Sequence, residues 1–132
     1  MLYYVILIVS KHGGKMQDYW DRKFDELNEK FWNGRLKKIP VYVTPMDDTY
    51  GLYYHPSASC EDTEQEIYLD SGMSHYQKRN ILLHEMAHHY VFETYGDTFY
   101  HVHCKPWKDE MKRLGFRGKI TKYTGLYKTR EM

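Results

Sequence analysis

At 132 residues and 16.0 kDa, the chain has room for one domain with a real core, and nothing in its length asks for a second. Its 42% apolar content, with 14 Tyr and 3 Trp, excludes a disordered segment, and its two cysteines, Cys60 and Cys104, form no C-x-x-C pair and give no disulfide framework. Net charge is only +1, yet residues 105–132 hold 9 Lys/Arg against 3 Asp/Glu, a basic stretch that reads either as solvated surface or as a face for nucleic acid or an acidic partner.

Residues 1–15 read as an N-terminal extension. The apolar run 2–9 is too short to span a bilayer and lacks the basic flank and cleavage site of a secretory signal, so a strand is expected, or a segment ahead of a domain that begins at Met16. A cytoplasmic setting without membrane contact is the matching expectation. The spacing then predicts an amphipathic helix over 16–33, with Trp20, Phe24, Leu27 and Phe31 on one stripe, Asp18 and Asp21 in the first turn, and Gly34 just past the end.

Two short strands follow, 41–44 between Pro40 and Pro45 and 52–54 between Gly51 and Pro56, with 46–50 as the turn of a hairpin. Residues 57–65 are polar and acidic and read as a loop. Glu66-Ile67-Tyr68-Leu69-Asp70 alternates polar and apolar residues, as a half-buried third strand would.

The next segment announces its own start and stop. Ser74 with Gln77 three residues on is a capping-box pattern, Gly96 is a natural C-terminal stop, and the helix between them contains His84-Glu85-Met86-Ala87-His88, one copy of H-E-x-x-H. His84 and His88 lie one turn apart on one face, so both imidazoles can reach a single metal ion. Glu85 points about 100° away around the axis, towards a water on that metal rather than the metal itself. Two neutral nitrogen ligands leave room for a third ligand and a water, which is what zinc hydrolysis needs. Composition alone yields roughly 0.03 chance matches to this pattern, so context has to decide.

Two histidines hold zinc poorly, and a third ligand is expected downstream. The extended pattern with Gly and His three and six residues after the second His is excluded, because those positions are Val91 and Thr94. Glu110 on a following helix is one candidate. His101, His103 and Cys104, just ahead of that helix, are the others; if it runs from about 105 to 114, Trp107, Met111 and Leu114 form its buried face and His103 sits at its entry. The remaining histidines, His12, His55, His75 and His89, read as surface or satisfied polar groups, and Cys60 as an ordinary thiol.

The order of elements resembles the SprT-like zinc metallopeptidase domain, the family of Spartan-type DNA-protein crosslink proteases, over roughly residues 16–116. The resemblance is carried by Phe31-Trp32-Asn33-Gly34-Arg35-Leu36 at the end of the opening helix, by Ile67-Tyr68-Leu69, by Leu82 to His88, and by His103-Cys104-Lys105-Pro106-Trp107. Cys104 stands where the family usually has Gly. The resemblance implies His84, His88 and His103 as ligands to one Zn2+ per chain and Glu85 as general base, in a minimal form without a zinc ribbon. It also implies an α+β, zincin-like fold: a small antiparallel or mixed sheet of three to four strands, packed on the opening helix and the long motif helix, with a third helix carrying the last ligand. The domain would span 16–118, followed by a basic tail at 119–132.

The expected reaction is hydrolysis of a peptide bond in a protein or peptide, with Ile67, Tyr68 and Leu69 pairing with extended substrate backbone. Lys119, Lys122, Lys128 and Arg130 are the candidate nucleic-acid contacts, which would direct activity to DNA-associated proteins. The competing reading is a non-catalytic, zinc-stabilised binding module that uses the basic segment 105–132.

Overall fold

A computed structural model describes residues 14–55, 64–96 and 103–116, with side chains from residue 18 onward. The expected strand at 2–9, most of the acidic loop at 57–65, and His101, Cys60, Lys119, Lys122, Lys128 and Arg130 lie outside the described residues. The chain runs α1 (Gly14–Trp32), β1 (Val41–Thr44), β2 (Gly51–Tyr54), β3 (Glu66–Asp70), α2 (His75–Tyr95) and α3 (Lys105–Arg113). The fold is thus α+β, three helices around a small mixed sheet. No helix among the described residues is long and apolar enough to cross a membrane.

Helix α1 buries Trp20, Phe24 and Leu27, as the stripe predicts, and begins two residues earlier than expected, so Asp18 lies beyond its first turn. At its last turn Trp32 is buried and Phe31 only partly so, the reverse of the expected order. The indole N–H of Trp32 donates to Glu110 of α3 at 2.7 Å, which draws that ring inward. The helix stops where Asn33 and Gly34 take positive φ, 56° and 74°. Asn28 then clamps the outgoing chain, donating to the Leu36 carbonyl at 3.0 Å and accepting from its N–H at 3.1 Å. Asp21 accepts from the Val41 N–H at 2.9 Å and fixes the start of β1 against α1.

The expected hairpin does not form. The strand order is β1-β3-β2, with β1 parallel to β3 and β2 antiparallel to it, so β3 lies between the two strands that are adjacent in sequence. Residues 45–50 carry the chain across the end of β3 instead, held there because Asp70 accepts the Met46 N–H at 2.9 Å and donates its own N–H to the Tyr50 carbonyl at 2.9 Å.

Nor is β3 half-buried: all five of its residues are buried. Ile67 and Leu69 face the main core with α1 and α2. Tyr68 packs with Met46, Tyr42 and Leu52 on the other face. The polar positions survive burial because they are satisfied, Glu66 by the Tyr68 hydroxyl and Asp70 by Met46. A strand with neighbours on both edges cannot also pair with a substrate, so Ile67, Tyr68 and Leu69 are core residues and not the expected substrate-binding edge.

Candidate metal centre

Helix α2 begins and ends where its caps dictate. Ser74 accepts from the Gln77 N–H at 3.2 Å while Gln77 accepts from the Ser74 N–H at 3.0 Å, and Gly96 closes the other end at φ 64°. Between these ends the helix is buried over Ile81–Ala87, so His84 and Glu85 are presented inside the fold and His88 at its margin.

Helix α3 supplies the rest. Cys104 is its N-cap residue, with φ −71° and ψ 173°, and Pro106 opens its first turn. That extended conformation suits any residue, so nothing at position 104 requires glycine. Trp107 and Met111 are fully buried, with Leu114 close behind, and this anchors α3 against α2 and sets His103 over the motif helix.

His88 Nε2 and His103 Nε2 each lie 3.3 Å from His84 Nε2. These three form the one group of three or more metal-ligating side chains found together among the described residues. A single proton can bridge one pair of ring nitrogens, but not three converging on a point. Nitrogens bound tetrahedrally to one ion at about 2.05 Å stand about 3.4 Å apart, so the observed spacing fits a shared cation. Burial, then His88 and His103, hold His84 well below the ordinary histidine range. Burial, then His103 and His55, hold His88 at about 3, and burial, then Lys108, lowers His103. All three are therefore neutral at neutral pH, the form that binds metal.

Glu85 is 1% exposed, and its Oε2 lies 4.0 Å from His84 Nε2. Burial pushes its carboxyl up to about 8, against the opposing influence of the Tyr53 backbone N–H, and neither carboxylate oxygen has a hydrogen-bond partner of ordinary geometry. An orphaned buried carboxyl beside three converging nitrogens fits a metal site that holds water. His84 Nδ1 is likewise buried without a partner.

The other candidates resolve differently. Glu110 takes the Trp32 indole N–H and two bonds from Arg113, at 2.6 and 3.1 Å, so it ties α3 to α1 and is spent there. His89 is buried and satisfied, bonded to the Lys37 carbonyl at 2.8 Å and to the Tyr53 hydroxyl at 3.3 Å. Cys104 is a free, half-buried thiol outside the histidine group.

Two residues at the site escaped sequence reasoning. Trp107 was legible as core, yet its ring packs against all three imidazoles, with centroids at 4.8, 5.2 and 4.2 Å from His84, His88 and His103, and its N–H reaches the His84 carbonyl at 3.3 Å. Its place four residues after His103 was the available signal. Gly51 is the other: a Cβ there would lie 3.0 Å from Glu85 Oε2 and inside the van der Waals shell of Ile81, so only glycine lets β2 come this close to α2.

Comparison with known proteins gives one family. The pattern of the SprT-like family matches residues 20–126, most of the chain and all of the elements from Trp20 through α3. No curated protein matches.

Proposed function

The chain belongs to the SprT-like family, and from that premise we propose that it is a zinc-dependent metalloendopeptidase, with His84, His88 and His103 holding the ion and Glu85 as general base. The observation that carries this reading is the convergence of three Nε2 atoms beside a buried carboxylate that has no hydrogen-bond partner of ordinary geometry. When bound, zinc supplies a Lewis acid that lowers the pKa of water and polarises a carbonyl.

The protein's own residues do the rest. With an ion held at the histidines Glu85 would be ionised, and a carboxylate stripped of solvent takes a proton from water readily. The same group can return that proton to the leaving amine. The buried Trp107 ring packs against all three imidazoles and holds their orientation. Gly51 backs Glu85 and fixes its distance from the reacting atoms. Strand β2, the outer strand that borders α2, is the natural surface for extended substrate.

An intact, buried Glu85 favours catalysis over a purely structural zinc site, which needs no base. The basic stretch 105–132 suits substrates bound to DNA, and such binding should weaken steeply with salt. Zinc analysis combined with casein and self-cleavage assays, with and without single-stranded DNA, tests the reading. Glu85→Gln should keep one zinc per chain and lose at least about 100-fold in turnover; undiminished cleavage by that variant would remove Glu85 from its role.

A further inference from the structure

The face of α2 that carries His84 and His88 continues towards the helix N-terminus. Asn80 stands one turn before His84, Gln77 two turns before it, and Ile81 beside them, so all three share the metal-facing stripe. Ile81 is core, while Asn80 is part-exposed and Gln77 exposed. The stripe borders a cavity of about 490 Å3 lined by Tyr50, Met73, Tyr76, Gln77, Asn80 and Ile81, a size typical of ligand pockets.

Two walls connect this cavity to the metal centre. Tyr50 immediately precedes Gly51, the residue that Glu85 lies against, and Ile81 meets the same glycine. The rise from Asn80 to His84 is about 6 Å, within the span of two residues of extended peptide.

The lining has a definite chemistry. No charged side chain contributes to it. Gln77 Oε1 and Ser74 Oγ are taken up in the helix cap, each accepting the other residue's backbone N–H. The part-exposed Asn80 side-chain amide forms no hydrogen bond to another described residue and can meet an occupant. Met73 and Ile81 supply apolar surface, and Tyr76, 72% exposed, stands as an aromatic wall in solvent.

We propose that this cavity is a substrate subsite beside the scissile bond, taking an aromatic or large aliphatic side chain of the peptide while the Asn80 amide holds that residue's backbone. The proposal rests on the peptidase reading. A charged side chain entering it would lose hydration with no counter-ion among the walls, whereas an apolar one loses only unfavourable contact with water.

The test reads binding and cleavage separately. Zinc-loaded protein is titrated with N-acetyl-phenylalaninamide, N-acetyl-leucinamide and N-acetyl-aspartic acid α-amide, following the methyl NMR signals of Met73 and Ile81, and cleavage sites are profiled on a peptide mixture. Saturable shifts are expected for the phenylalanine and leucine probes, with affinity for the aspartate probe at least about ten-fold weaker. The profile should show the same preference at one fixed position beside the cut. Asn80→Lys, on a part-exposed helix position, should reverse the order in favour of the acidic probe and the acidic substrate position. Equal responses to all three probes, no methyl shifts, or an unaltered preference in Asn80→Lys would overturn the subsite even if peptides are cleaved. Selective shifts without cleavage of any peptide would leave the pocket assignment standing and overturn the peptidase reading alone.

Discussion

Replacing Gly51 by alanine adds one methyl group at the point where β2, β3 and α2 meet. That methyl would sit 3.0 Å from Glu85 Oε2, 3.3 Å from the Tyr68 carbonyl and closer still to Ile81 Cγ2. None of these neighbours has an easy retreat. The carbonyl belongs to the central strand, and Ile81 and Glu85 are buried on α2. Overpacking of this kind costs about 1–3 kcal/mol, which in a domain of this size lowers Tm by roughly 3–15 °C. Since Glu85 is one of the groups displaced, turnover should fall further than stability explains, by up to about 100-fold, while the three histidines keep their zinc. Calorimetry of the zinc-loaded variant, its zinc content and its cleavage rate give the three readouts. Unchanged Tm and unchanged turnover together would refute the close approach of β2 to the Glu85 carboxyl.

Glu110→Ala leaves the Trp32 indole N–H buried without an acceptor, at a cost of about 1–3 kcal/mol; denaturant unfolding should show it, and an unaffected midpoint would mean that the tie between α1 and α3 carries no energy. His103→Ala should weaken zinc binding by at least about 100-fold while leaving the apoprotein folded, which competition with a chelator and circular dichroism would measure. In the metal-free protein, burial holds His84 well below the ordinary range, His88 at about 3 and His89 lower than usual, so each protonates in the unfolded chain, near pH 6.5, before it does so in the fold. The unfolded state then binds more protons below about pH 6.5, and the stability these groups contribute, complete above that pH, is lost as pH falls through their lower folded values, that of His88 being about 3. Glu85, raised to about 8, works in the opposite direction, and three histidines outweigh one carboxyl. Metal-free Tm should therefore drop on acidification below about pH 6.5, and a flat profile there would contradict these burials.

Local chemistry made some of this legible in advance. Ser74, Gln77 and Gly96 write the ends of α2 into neighbouring residues, and prolines and alternation bound β1 and β3, so those elements stand where the sequence put them. The spacing of His84 and His88 set both on one face without reference to the rest of the chain. What could not be read depends on partners remote in sequence. Insertion of β3 between β1 and β2 is a long-range pairing that turn signals at Pro45 and Gly51 cannot distinguish from a hairpin. The burial of Glu66 and Asp70 follows from that insertion. The exchange of Phe31 for Trp32 depends on Glu110, 78 residues further along the chain from Trp32. The third histidine needed α3 to dock before its direction had meaning, and the resemblance of order, rather than any periodicity, pointed to His103.

His84 and His88 come from α2 but His103 from the approach to α3, so an ion bound to all three would be a chain cross-link as well as a reactive centre. It would close the loop from His88 to His103, with 14 residues between them, and cross-linking a loop of about that length removes about 3 kcal/mol of freedom from the unfolded chain. The ion would then act as a staple across two helices, in a chain whose cysteines offer no pair for the purpose. Chelation should consequently loosen α3 from α2 before it melts α2 itself, since α2 carries its own caps and core, and α3 would be left hanging on Trp107, Met111 and the Glu110 tie.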